Sequence, residues 1–248
     1  MPTLVDTIVA AAITVLATGI GALPFIFIKD FPRRISLMAW AVAGGLMLSA
    51  SIFNLIMPGV RDGGITPVAA GILVGTLLMA ATSRWLEGRH VHFSGLTGAG
   101  ARRIILVLTT LFIHSFPEGI AVGVAFGSGV TGLGVLMAVA IAIHNIPEGL
   151  AVALPLRAGG ISAWRSVGWA IFSSVPQIIA AIPAYLAVIA FRPILPYAFG
   201  FAAGAMIFLV MSELLPESQP EESDRLTSAL AGMGGFLLMM ILQNVLIF

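Results

Sequence analysis

The sequence predicts an all-α polytopic membrane protein, its eight transmembrane helices arranged as an inverted 3+2+3 repeat. Three observations carry that expectation. Of the 248 residues, 59% are hydrophobic and only 9% are charged, where an ordinary soluble domain carries roughly 25% charged residues. The apolar residues fall into eight stretches, each long enough to supply the ~20 residues a helix needs to cross the hydrocarbon. Ten of the 12 cations lie at connections on one face of the resulting topology. A mean hydropathy of +1.07 excludes a soluble enzyme and a disordered chain. Twelve cations against 11 anions leave no basic field to attract nucleic acid. The absence of Cys excludes disulfides, thiolate metal sites, iron–sulfur clusters and cysteine nucleophiles.

The first span lies near 4–28 and ends at Lys29-Asp30-Phe31-Pro32-Arg33-Arg34. No basic residue precedes it and it carries Asp6, which argues against a cleaved signal peptide. The second, near 35–60, ends at Arg61-Asp62-Gly63-Gly64, and the third occupies 65–86. The connection from Glu87 to Arg103 is the longest, rich in Gly, with His90 and His92 spaced for a weak chelate at most. Spans four and five lie near 104–126 and 133–155, and the sixth, near 166–191, ends at Arg192-Pro193. The seventh and eighth lie near 194–215 and 228–248, so residues 1–248 read as a single transmembrane domain.

Lys29, Arg33, Arg34, Arg84, Arg89, Arg102, Arg103, Arg157, Arg165 and Arg225 fall at odd-numbered connections, and only Arg61 and Arg192 at even-numbered ones. Positive charge favours the cytoplasmic side, so both termini are expected outside. A missed or split span would scatter these cations over both faces.

Sliding the sequence by 159 residues lays spans one to three over spans six to eight. Pro24 falls on Pro183, Gly45 on Gly204, Met47 on Met206, and Asn54-Leu55-Ile56 on Glu213-Leu214-Leu215. The two groups enter from opposite faces, as an inverted repeat of a secondary transporter requires. The middle pair repeats more plainly. His114-Ser115-Phe116-Pro117-Glu118-Gly119-Ile120-Ala121-Val122 returns as His144-Asn145-Ile146-Pro147-Glu148-Gly149-Leu150-Ala151-Val152.

In each copy His and Glu are four residues apart and share one helix face. A Pro between them loosens the backbone ladder, and Gly119, Gly123 and Gly127 form a stripe that lets another helix approach. His114 and His144 reach a similar depth near the bilayer centre. An unpaired carboxylate there costs ~2.5–3.5 kcal/mol on insertion scales, and no Arg occurs in any span interior. Protons or a bound metal must supply the positive charge. Two neutral imidazoles and two carboxylates suit Zn²⁺ or another first-row divalent ion, and one dication balances Glu118 and Glu148. This places a metal site between the central helices. A proton relay would use the same residues, and one His–Glu pair alone would read as a structural hydrogen bond. An intramembrane zinc hydrolase is the weakest alternative, because H-E-x-x-H and a third intramembrane His are both absent.

These motifs resemble the ZIP (Zrt/Irt-like) family of divalent metal transporters, especially its prokaryotic branch. Pro147-Glu148-Gly149-Leu150-Ala151-Val152-Ala153-Leu154-Pro155-Leu156-Arg157 and the run from Phe201 to Glu217 extend the resemblance along the chain. It implies metal movement into the cytoplasm through a site between spans two, four, five and seven, with alternating-access or elevator-like motion. It implies a non-enzyme without a cofactor, in the plasma or inner cell membrane, whose partners are the metal and the lipid bilayer. Zn²⁺ is the expected cargo, with Cd²⁺, Fe²⁺, Mn²⁺ and Co²⁺ compatible, and homodimerisation is left open. Residue by residue, His114, Glu118, His144 and Glu148 form the primary site, and Met47 matches a position for an additional soft ligand. Asn54 and Glu213, related by the repeat, mark entrance and exit. Many relatives bind a second metal with Asn on span four, Asn or Asp on span five and Glu on span six. Here those positions are Ser115, Asn145 and Gln177, which supply no carboxylate, so the second site is expected to be weak or absent. The acidic run Glu217, Glu221, Glu222 and Asp224 reads either as a metal-collecting surface or as a solvated loop beside Arg225.

Overall fold

A helix satisfies its backbone hydrogen bonds internally, which is what an apolar surrounding demands of any segment that crosses it. The computed structural model describes residues 2–28, 32–87, 99–219 and 221–247, and among these it contains helices and no strand. Eight helices are long and apolar enough to cross a membrane. They are α1 (Leu4–Ile26), α2 (Arg33–Gly63), α3 (Ile65–Glu87), α4 (Ala99–Gly127), α5 (Leu133–Ala158), α6 (Ala163–Ala190), α7 (Arg192–Ser218) and α8 (Arg225–Ile247). His90 and His92 lie outside the described residues.

Local chemistry explains the charges at the helix ends. Thr3 caps α1: its hydroxyl accepts from the Asp6 amide at 3.2 Å, while the Asp6 carboxylate accepts from the Thr3 amide at 2.7 Å. Asp6 is therefore the acidic half of a capping box in the first turn, where the helix dipole favours it. Arg33 opens α2 and donates two hydrogen bonds, of 3.1 and 2.6 Å, to Asp224 beside the start of α8. It also pairs with Glu221 at 3.1 Å, and Arg225 pairs with Glu222 at 3.4 Å. Two members of the acidic run, Glu221 and Asp224, thus tie the start of α8 to the start of α2 through Arg33, a partner that spacing along the chain did not disclose. The Arg33 side chain is 53% exposed, so Arg33→Ala should lower stability only slightly. A thermal melt in detergent at low and high salt checks this, and the difference should shrink as salt rises.

The helices pack as two groups. In one, α1 lies along α5 and α6 along α4; in the other, α2 lies along α8 and α7 along α3. The groups meet where α2 crosses α5 and where α7 crosses α4. Every one of these pairings maps onto another when α1–α3 are exchanged for α6–α8 and α4 for α5, so the weak repeat in sequence is a repeat in packing. Gly45 lies against the Gly232 carbonyl of α8, and its counterpart Gly204 lies against the Ile72 carbonyl of α3.

Two helices are locally rewound. A π-helical turn occupies Ser51–Ile56 in α2, and another occupies Val210–Leu214 in α7. The turns begin at repeat-related positions. Each is followed by proline: Pro58 and Pro216 have no N–H for the carbonyls of Asn54 and Ser212 four residues back. Widening the turn re-pairs the ladder around that gap. Helix α6 is interrupted by a tighter turn, the Val175 amide donating to the Phe172 carbonyl at 3.2 Å, with its first segment ending at Ser174 and its second starting at Pro176. Pro117 and Pro147, by contrast, sit inside α4 and α5 without ending them.

Candidate metal centre

Glu118 comes from the middle of α4, and His144 and Glu148 come from one face of α5. All three side chains are buried, at 0%, 0% and 2% exposure. One ligand atom from each lies within 4.8 Å of the other two, which is the spread a single ion can span. His144 Nε2 and Glu118 Oε1 share a 2.7 Å hydrogen bond. Both oxygens of Glu148 are buried and have no hydrogen-bond partner among the described residues. An unpartnered carboxylate is among the costliest groups to bury. Its two oxygens beside an imidazole and a second carboxylate make a donor set that could hold a cation. The helix carrying His114 is described, but the side chain of His114 lies outside the described residues.

The centre is held in place by close helix contacts. A Cβ at Gly149 would collide with the Thr18 carbonyl of α1, and a Cβ at Gly119 with the Gln177 carbonyl of α6. Thr18 and Gln177 are 159 residues apart in sequence. Each motif glycine therefore lets the outer helix of its own half come up against the residue that follows the carboxylate. Gly123 and Gly127 continue the contact with α6.

The residues beside the histidines also act as a related pair. Ser115 donates to the Ser173 carbonyl at 3.0 Å, and Asn145 donates to the Thr14 carbonyl at 2.8 Å. Asn145 also donates to Gln177 Oε1 at 3.3 Å, the Thr14 hydroxyl donates to that same oxygen, and Gln177 Nε2 donates to Glu118 Oε2. Thr18 and Ser174 share a 2.7 Å hydroxyl bond. Asn145 and Gln177 thus lie beside the centre and are hydrogen-bonded to each other, while Ser115 lies against backbone carbonyls. Thr14 and Thr18 were not anticipated. The available signal was Thr7, Thr14 and Thr18 recurring on one face of an otherwise apolar helix, and all three are fully buried.

Met47 is buried on α2, the helix that crosses α5. Asn54 and Glu213 fall on the two π-helical turns. Asn54 is 1% exposed with its Nδ2 unpartnered among the described residues. Glu213 is half-buried and lies outside the three-residue cluster.

Among the described residues, eight membrane-length helices around a buried group of side chains that could hold a metal ion define the class: a multi-pass membrane protein. A family model described as ZIP zinc transporter matches residues 94–243. Zinc transporter GufA of Myxococcus xanthus is 33% identical over 249 residues, covering 95% of this chain and 97% of that protein. Zinc transporter ZIPB of Bordetella bronchiseptica is 35% identical, covering 93% of this chain and 78% of its own. The chain belongs to the ZIP zinc transporter family. Zinc transporter ZIP11 of Homo sapiens is 43% identical over 152 residues, and the match covers 59% of this chain and 44% of that protein. A relative from Arabidopsis thaliana is 41% identical over 84% of this chain, which spans only 33% of its length.

Proposed function

We propose that this protein moves divalent cations, zinc foremost, across a cell membrane through a centre formed by Glu118, His144 and Glu148, with His114 as the fourth ligand. The whole chain acts as one transport unit. The observation that carries this reading is Glu148, whose two buried oxygens have no partner among the described residues and lie beside the Glu118–His144 pair. A dication neutralises both carboxylates and uses the imidazole, and the relatives' zinc assignment agrees with a mixed N/O donor set. The distribution of cations supports termini outside and delivery into the cytoplasm. The two π-helical turns put Asn54 and Glu213 at repeat-related points, which suits an entrance and an exit. The test is purified protein in liposomes loaded with a metal-sensing dye, where zinc outside should raise the signal at a rate proportional to protein.

One observation favours a second reading. The 2.7 Å His144–Glu118 bond is the kind a proton relay uses. A pH-sensitive dye in the same liposomes separates the two, since a proton carrier acidifies the lumen without any metal.

Protons compete with a cation for imidazole and carboxylate donors. Zinc affinity should therefore fall as pH is lowered from about 7.5 to about 5.5, as protons and metal compete for the same donor atoms. Calorimetric titration at fixed ionic strength measures this, and an affinity constant across the range counts against a centre built of protonatable side chains.

A further inference from the structure

Glu118 has one oxygen on His144 and the other on Gln177, so what Gln177 does decides how many oxygens Glu118 can offer a cation. A side-chain amide can flip, which would present an oxygen to Glu118 instead of a donor. Here the flip is blocked from the far side. Gln177 Oε1 accepts from Asn145 Nδ2 and lies against the Thr14 hydroxyl, whose one proton also faces the Ala11 carbonyl. Turned over, the amide would set its NH₂ against the Asn145 NH₂ and its oxygen against a carboxylate. Asn145 is fixed in turn, because flipping it would place its oxygen on the Thr14 carbonyl. Gln177, Thr14 and Asn145 are fully buried, so water does not compete for these bonds.

We infer that Gln177 is a positioning residue that holds Glu118 Oε2 away from the ion, makes Glu118 a one-oxygen ligand, and so sets the cation preference of the centre. The inference rests on the metal centre proposed above. A carboxylate with one oxygen withheld suits a small ion content with four ligands, such as Zn²⁺. It is a poor ligand for Mn²⁺, which takes oxygen donors in six-fold geometry and gains from a bidentate carboxylate. The restraint is carried by three helices, α1, α5 and α6, acting on a side chain of α4. Thr14 therefore influences cation choice although it lies one residue removed from any ligand.

The test is competitive binding of Zn²⁺ and Mn²⁺ to the purified full chain, comparing the wild type with Gln177→Leu and Thr14→Val. Freeing Oε2 should reduce the zinc-over-manganese preference by about 10-fold in Gln177→Leu, the scale on which groups behind a ligand act. A smaller reduction in the same direction is expected for Thr14→Val, which leaves the glutamine in place but removes part of its anchor. Equal weakening of both ions overturns the inference, because it is what mere loosening of the fold would give. An unchanged preference overturns it as well. If Gln177→Leu fails to fold, the near-isosteric Thr14→Val carries the test. Wild-type protein that binds neither ion would instead overturn the metal centre itself.

Discussion

Glu148→Gln abolishes zinc flux in proteoliposomes, by ~100-fold or more, while leaving the metal-free protein at least as stable as the wild type. Both halves follow from the same fact: the Glu148 oxygens are buried and have no partner among the described residues. With the carboxylate gone, a dication faces one negative charge instead of two in a low-dielectric surrounding, and a buried excess charge is strongly disfavoured. Without metal, the substitution removes an uncompensated charge, which relieves the fold. The wild type should be stabilised by zinc by ~2.7 kcal/mol at 100 times its dissociation constant, and Glu148→Gln should show almost none of this. Thermal melts with and without zinc read both effects. Glu118→Gln is a less clean probe, because Glu118 also accepts from Gln177 and shares a bond with His144. A Glu148→Gln protein that transports zinc at the wild-type rate would remove this carboxylate from the pathway.

Gly149→Val disrupts the fold at the α1–α5 contact. The added Cβ meets the Thr18 backbone carbonyl, which cannot swing aside as a side-chain tip could. Helix α1 must move away from α5, and that also stretches the Asn145 bond to the Thr14 carbonyl one turn back. Overpacking of this kind costs ~1–3 kcal/mol or more, and here it adds the loss of a buried hydrogen bond. The expected result is a marked fall in folded, monodisperse protein by size-exclusion chromatography, with a lower melting temperature for what remains. Gly234→Ala on α8 is the matched control, since nothing lies near its added Cβ. It should be neutral or stabilise by ~0.5–1 kcal/mol, as alanine in place of glycine does within a helix. Similar losses in both variants would mean that the Gly149 contact is not what holds α1 to α5.

The eight helices and the Glu118–His144–Glu148 grouping were legible in the sequence for one reason. In a chain with 9% charged residues, an acid inside an apolar stretch stands out, and a four-residue spacing fixes which groups share a helix face. The π-helical turns were not legible from composition, because Ser51–Ile56 and Val210–Leu214 look like ordinary span. Pro58 and Pro216 marked them only in hindsight. The hydrogen-bond chain from Thr14 through Gln177 to Glu118 was beyond reach for another reason. It depends on which helices abut, and a 159-residue offset in apolar sequence indicates symmetry without showing which faces touch. The same holds for Arg33 and Asp224, whose pairing follows from α2 lying along α8. Gln177 reads in the sequence as a missing carboxylate, yet its amide donates a hydrogen bond to Glu118.

The most direct measurement is anomalous scattering at the zinc edge from crystals of the full chain grown with zinc. The expected result is one well-occupied ion whose ligands include Glu118, His144 and Glu148 at ~2.0–2.2 Å, with Gln177 still bonded to Glu118. Zinc bound elsewhere with this cluster vacant, or two equally occupied ions bridged by Glu118 and Glu148, would contradict the account.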